Sequence, residues 1–216
     1  MGLVISDPGK IEARSFELIN KYLKNLKLSA GQKDVVRRVI HATANPGFAR
    51  ELLFHPQAIT AGQGAIKNGC FIVTDAAMVQ AGINKKLLAQ FGGKVVCLLN
   101  DRDIVRRSSR LKLTRAMLAM RKSARFMKGG IVAIGNAPTA LFELCKLAQE
   151  SNIRPALVVG VPVGFVGAVE AKKKLRTLNI PFITNKSRKG GSAVAAAIVN
   201  ALLKIAESQM KSGVMS

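Results

Sequence analysis

The sequence predicts an α/β protein, a single three-layer domain in which helices flank a mostly parallel sheet of about five strands in a Rossmann-like arrangement. Three observations carry this. From residue 70 onward one grammar repeats: a short apolar run rich in β-branched residues, then Gly, Asn, Asp or Pro, then a helical pattern. The runs CFIVTD, KVVCLLN, GIVAIGN, PALVVGVP and PFITN are continuous rather than alternating, as strands covered on both faces require. Hydrophobic residues make up 49% of the 216, drawn mainly from Ala, Val, Leu and Ile with no Trp and one Tyr, which suits Ala-rich helices on a buried sheet and argues against disorder.

No interdomain linker interrupts residues 1–216. A helical N-terminal part is expected over about 8–69, an alternating strand–helix part over about 70–207, and a tail, 208–216, that frays. The first helix is IEARSFELINKYL, whose Ile11, Phe16, Ile19 and Leu23 approximate one apolar face. A second begins at SAGQ, where Ser29 and Gln32 fit a capping box that satisfies free amides at a helix start. It continues through Val35, Val36, Val39 and Ile40 and should stop near Asn45-Pro46-Gly47.

Charge narrows the partners. With 34 Lys and Arg against 12 Asp and Glu, the net +22 attracts polyanions: nucleic acid, an acidic membrane or a polycarboxylate or phosphate ligand. The nine Phe and single Tyr are not interleaved with the basic runs as stacking platforms would be, so nucleic acid is not expected. No run approaches the roughly 20 apolar residues of a membrane helix, and the amino terminus lacks a basic-then-apolar leader, so no membrane partner and a cytoplasmic location are expected. Cys70, Cys97 and Cys145 have no CxxC spacing and sit in apolar contexts, reading as buried free thiols; no metal site is expected.

Three glycine-bearing loops offer backbone amides to an anion: GNAPTALFEL, containing Asn136, GVPVGFVGAVEAK, and NKSRKGGSAVAAAIVNAL. None has phosphate-loop or dinucleotide spacing. KSRKGGS before an Ala-rich helix, joining Arg188 and Lys189 to a helix start, reads equally as an anion site or as a basic turn whose glycines serve geometry. Thr114-Arg115 in KLTRAMLAM, where a helix can begin, offers a further carboxylate contact with the same alternative. Of only two histidines, His55 precedes a proline and reads as a boundary residue. His41 shares a helix face with Arg37 and Arg38, four and three residues upstream. Its setting fits a structural cap at a helix end or a general acid or base.

Together, EARSF, VVRRVIHATA, TDAAMVQAGI, LTRAM, IGNAPTALFEL, GVPVGFVGAVEAK and SRKGGSAVAAAIVNAL resemble the precorrin-8X methylmutases, also called precorrin isomerases, over about Glu12 to Leu202. The resemblance implies an isomerase that moves a methyl group from C-11 to C-12 of the corrin ring, giving hydrogenobyrinic acid from precorrin-8X or cobyrinic acid from the cobalt precursor. It implies a homodimer with sites at or near the subunit interface and no cofactor, cobalt entering only if the substrate already holds it. The family's catalytic histidine falls on His41, its substrate-contacting serine and arginine on Ser15 and Arg38, and its second active-site arginine on Arg115.

The resemblance also implies a flat ring bearing seven carboxylates, which accounts for a basic cleft: Arg38, Arg115 and Arg188 suit its carboxylates, while Val163 and Phe165 suit its face. The sequence departs from the family pattern at Asn45, where an acidic residue is expected, and at Ala116 and Ala171, where serines are. A noncatalytic corrinoid carrier, and behind it a basic nucleic-acid-binding protein, are the competing readings.

Overall fold

A computed structural model describes residues 6–151 and 153–213. The chain opens with α1 (Pro8–Leu23), α2 (Ala30–Thr43), α3 (Phe48–Glu51), β1 (Leu52–Phe54) and α4 (Ala58–Lys67). Then follow β2 (Phe71–Thr74), α5 (Ala77–Gly82), α6 (Lys85–Gln90), β3 (Lys94–Val96), α7 (Arg102–Leu111), α8 (Arg115–Ser123) and β4 (Ile131–Ile134). The rest is α9 (Pro138–Glu150), β5 (Leu157–Gly160), α10 (Ala168–Arg176), β6 (Phe182–Asn185) and α11 (Ser192–Gly213).

All five predicted runs form strands, and they pair in parallel; the sheet order is β1-β6-β5-β4-β2-β3. Because side chains alternate along a strand, each run feeds two cores. Ile131, Ala133, Leu157, Val159 and Ile183 face α2, α4 and α11, whereas Val132, Ile134 and Val158 face α8, α9 and α10. Continuous apolar runs are the consequence of covering both faces.

Four expectations need correcting. A sixth strand, β1, lies inside the part read as helical and pairs antiparallel with β6, Leu52 opposite Asn185. The tail does not fray from 208: α11 continues to Gly213, with Lys204 and Lys211 both bonded to Glu207 along its surface. Ile11 is 44% exposed, because α1 is an outer helix that buries only Ile19 and Leu23. Of the thiols, only Cys145 is fully buried; Cys70 and Cys97 are half-buried, and all three are free. Burial pushes the Cys70 and Cys145 thiols up to about 11, which removes them from thiolate chemistry near neutral pH.

The segment Ser192–Ser212 has, by length and composition alone, the character of a membrane span, though it holds no continuous apolar run of that length. Its apolar residues Val194 to Val199 and Ala201 to Leu203 are instead packed in the core.

Candidate active site

Asp7 caps α1 through the Lys10 amide, and the predicted Ser29–Gln32 capping box starts α2. α2 ends as anticipated: Ala44 turns left-handed (φ 49°) and the Asn45 side chain accepts the Gly47 amide at 2.9 Å. That turn shows what Asn45 does here, and an acidic residue would accept the same amide. Ala116 and Ala171 are both buried in the second core, where they act in packing.

Three residues of α2 converge on one ring of α1. His41, on the last turn, meets Phe16 edge-on at 5.4 Å, while the Arg37 and Arg38 guanidiniums lie 5.6 and 5.0 Å from the same ring centroid. Arg37 is spent on Asp34 and Asn20, and Arg38 is held by Glu12 at 2.6 Å. His41 and Ser15 line one cavity of about 380 Å³ with Ile19, Tyr22, Ile40 and Pro46. Ser15 donates its hydroxyl to Ile11 at 2.8 Å, leaving its oxygen free to accept. Arg38 lies outside that cavity, beyond Phe16.

The other candidates lie on the carboxyl edge of the sheet. Thr114 caps α8 through the Met117 amide and donates to Thr139 at 3.1 Å, so exposed Arg115 stands beside the start of α9. A bidentate pair of Arg121 with buried Glu143, at 2.7 and 3.1 Å, clamps α8 to α9 and fixes that placement.

At the point where the strand order reverses, between β2 and β4, Asp75 accepts the amides of Gly135, Asn136 and Ala137 at 3.0, 2.8 and 2.6 Å. Burial pushes its carboxyl above the usual range while those amides pull it back. The backbone donors expected of the GNAPTALFEL loop are therefore engaged internally, and what the loop offers outward is the exposed Asn136 side chain.

The NKSRKGG loop adjoins the end of α3. Lys186 donates its amide to the Glu51 carbonyl at 3.1 Å, and Lys189 pairs with the Glu51 carboxylate at 3.0 Å. Burial would raise the Glu51 carboxyl, but bonds from Ser187 and Lys189 outweigh it and hold it below its usual range. Arg188 is exposed, and its carbonyl accepts the Gly164 amide at 3.1 Å. Beside it Val163 is 45% exposed, Phe165 89% and Val166 88%, an apolar tip on a basic edge.

Sequence reasoning missed Asp75, Glu51 and Lys172. The last two had readable signals: Glu51 is the lone acid of an otherwise apolar and basic stretch, and Lys172 falls in phase with Ala168, Ala171 and Leu175 on the buried face of α10. Among the described residues no group of three or more His, Cys, Asp or Glu is placed to hold a metal.

Fold and site define a doubly wound α/β protein with an apolar tip beside exposed cations on its carboxyl edge and, between its first two helices, a histidine at a helix end. The family model Precorrin-8X methylmutase matches residues 10–205. The cobalt-precorrin-8 methylmutase of Priestia megaterium is 46% identical, over 93% of this chain and 89% of its own. The precorrin-8X methylmutase of Pseudomonas aeruginosa is 38% identical, over 92% and 96%. The crystal structure of the Thermus thermophilus precorrin-8X methyl mutase superposes with a TM-score of 0.86 at 38% identity, over 93% of this chain and 97% of that one. The chain belongs to the precorrin-8X methylmutase family and is thereby an isomerase.

Proposed function

We propose that the chain moves a methyl group from C-11 to C-12 of a corrin macrocycle in cobalamin biosynthesis, converting precorrin-8X to hydrogenobyrinic acid or its cobalt form to cobyrinic acid. Family membership supplies the reaction class. The observation that supports the substrate is the solvent-facing tip Val163, Phe165 and Val166 next to Arg188: apolar side chains suit a flat ring and guanidiniums its peripheral carboxylates. Arg38, Thr114, Arg115, Asn136 and Ser15 complete the assignment of contacts.

An isomerisation balances without oxidant, reductant or external nucleophile, so no cofactor enters and any cobalt travels with the substrate. Holding the reactive tautomer and exchanging one proton with the ring suffices, and His41 is the group for it: a single imidazole that lines, with the Ser15 hydroxyl, a largely apolar cavity. We read the active form as a cytoplasmic homodimer.

The test is an absorbance time course with precorrin-8X and, separately, cobalt-precorrin-8. Wild type should convert at least one of them, and a folded His41→Ala variant should still bind product while kcat falls by about 10³-fold. Binding of both substrates without conversion by wild type would establish a carrier instead. Unchanged turnover in the variant would remove His41 from the chemistry.

A further inference from the structure

We propose that Lys172 is a positioning residue: with Asn185 and Glu51 it braces the 186–191 loop in the conformation that presents Arg188 to a substrate carboxylate. This rests on Arg188 being a substrate contact.

Lys172 opens a run of three lysines on α10, yet only it is buried, 1% exposed, because only it shares the inward face with Ala168, Ala171 and Leu175. Withdrawing an ammonium from water costs several kcal/mol unless it is fully hydrogen-bonded, and a methionine of similar length would fill the space without that cost. What the ammonium does instead is specific. It donates to the carbonyls of Ser187 and Lys189, both at 2.7 Å, the residues on either side of Arg188. Burial pushes its pKa down to about 8, with the Glu51 carboxylate pulling it back.

The same two residues are held from other directions. Asn185 Nδ2 donates to the Lys189 carbonyl at 2.8 Å. Glu51 accepts the Ser187 hydroxyl and the Lys189 ammonium. The Gly191 amide donates to the Val161 carbonyl at 2.9 Å. Gly190 (φ 149°) passes so close to Val161 that a Cβ would lie 2.2 Å from its carbonyl oxygen. Between the two braced residues the Arg188 side chain is left over: exposed, and in no ion pair among the described residues, whereas the likewise exposed Lys186 lies outside that flanked position. Its carbonyl holds the Gly164 amide, so the brace also fixes the neighbouring Phe165 tip. A loop fixed at both flanks and vacant at its centre is what a preorganised carboxylate contact requires, since ordering it on binding would subtract from affinity.

The experiment measures the dissociation constant of hydrogenobyrinic acid, steady-state kinetics, and amide exchange at Gly164 and Gly191 in wild type, Lys172→Met, Arg188→Ala and the double variant. Lys172→Met should raise Kd and KM about tenfold with kcat within about twofold, and speed exchange at both glycines. Arg188→Ala should weaken binding comparably, and the double variant no further, because both changes remove one contact. An unchanged Kd in Lys172→Met beside a weakened Arg188→Ala, or additive effects in the double variant, overturns the brace. An unchanged Kd in Arg188→Ala overturns the assignment of Arg188 beneath it. If Lys172→Met does not fold, Glu51→Gln loosens the loop from the opposite side and should raise Kd about threefold. No shift there overturns the proposal.

Discussion

Two loops leave the carboxyl edge of the same sheet and treat their polar groups in opposite ways. After β4, at the reversal of strand order where doubly wound folds usually place a ligand, three amides of residues 135–137 are occupied by Asp75. After β6, the loop's carbonyls and its Ser187 and Lys189 side chains are held by Lys172, Asn185 and Glu51, and Arg188 is left facing solvent. A carboxylate of the protein fills the first position, whereas the second keeps a cation open. The backbone donors at the reversal point are thus satisfied from within, so that what faces outward after β4 is the Asn136 side chain and after β6 the Arg188 side chain.

The largest effect that could break this comparison is at Asp75. Asp75→Asn keeps one acceptor oxygen but turns the other into an NH2 that faces at least one of the three backbone donors, leaving a buried amide unpaired, and should cost about 2–3 kcal/mol in urea unfolding. Product affinity, measured on folded protein, should stay at the wild-type value. A rise in Kd without loss of stability would mean that the 135–137 amides themselves bind substrate.

Next in size is a pH effect confined to the braced loop. Lys172 titrates at about 8 in the fold against 10.5 for an ordinary lysine, so between those values the unfolded chain holds the proton and the native chain releases it. This group's contribution to stability is therefore fully present above 10.5, and it is lost as pH falls through about 8. Relative to Lys172→Met, wild type should gain on the order of 1–3 kcal/mol between pH 8 and 10 in paired denaturation curves. A pH-independent difference would show that the ammonium is not desolvated.

Much of this architecture was legible because the signals are local. Strand runs, the Ser29–Gln32 box, the Asn45-Pro46-Gly47 stop and the Thr114 cap each rest on residues within a few positions of one another. β1 was not legible: three residues directly after α3 carry no period, and their strand conformation comes from β6 as partner. The brace was half legible. Helical phase marks Lys172 as inward-facing inside a run that otherwise reads as a solvated face, but its acceptors lie fifteen and seventeen residues away. Asp75 is further from reach, since its partners are about sixty residues on and meet it only through the β2–β4 pairing. Burial of a charge is written in phase; its satisfaction is written in topology.

Arg38 sharpens the comparison at its smallest scale, because it is neither consumed like the 135–137 amides nor open like Arg188. Glu12 holds it at 2.6 Å in a pair with side chains 29% and 47% exposed, a setting in which an ion pair is worth about 0–1 kcal/mol. A ligand carboxylate can displace a partner held that weakly, and the internal acid then acts as a competitor. Glu12→Gln preserves the shape and removes the competing charge. It should tighten hydrogenobyrinic acid binding by about twofold to threefold and change unfolding free energy by less than about 0.5 kcal/mol. Weaker binding would reverse the reading: Glu12 would then hold Arg38 in place as Lys172 holds the Arg188 loop, and both cations would depend on an internal brace.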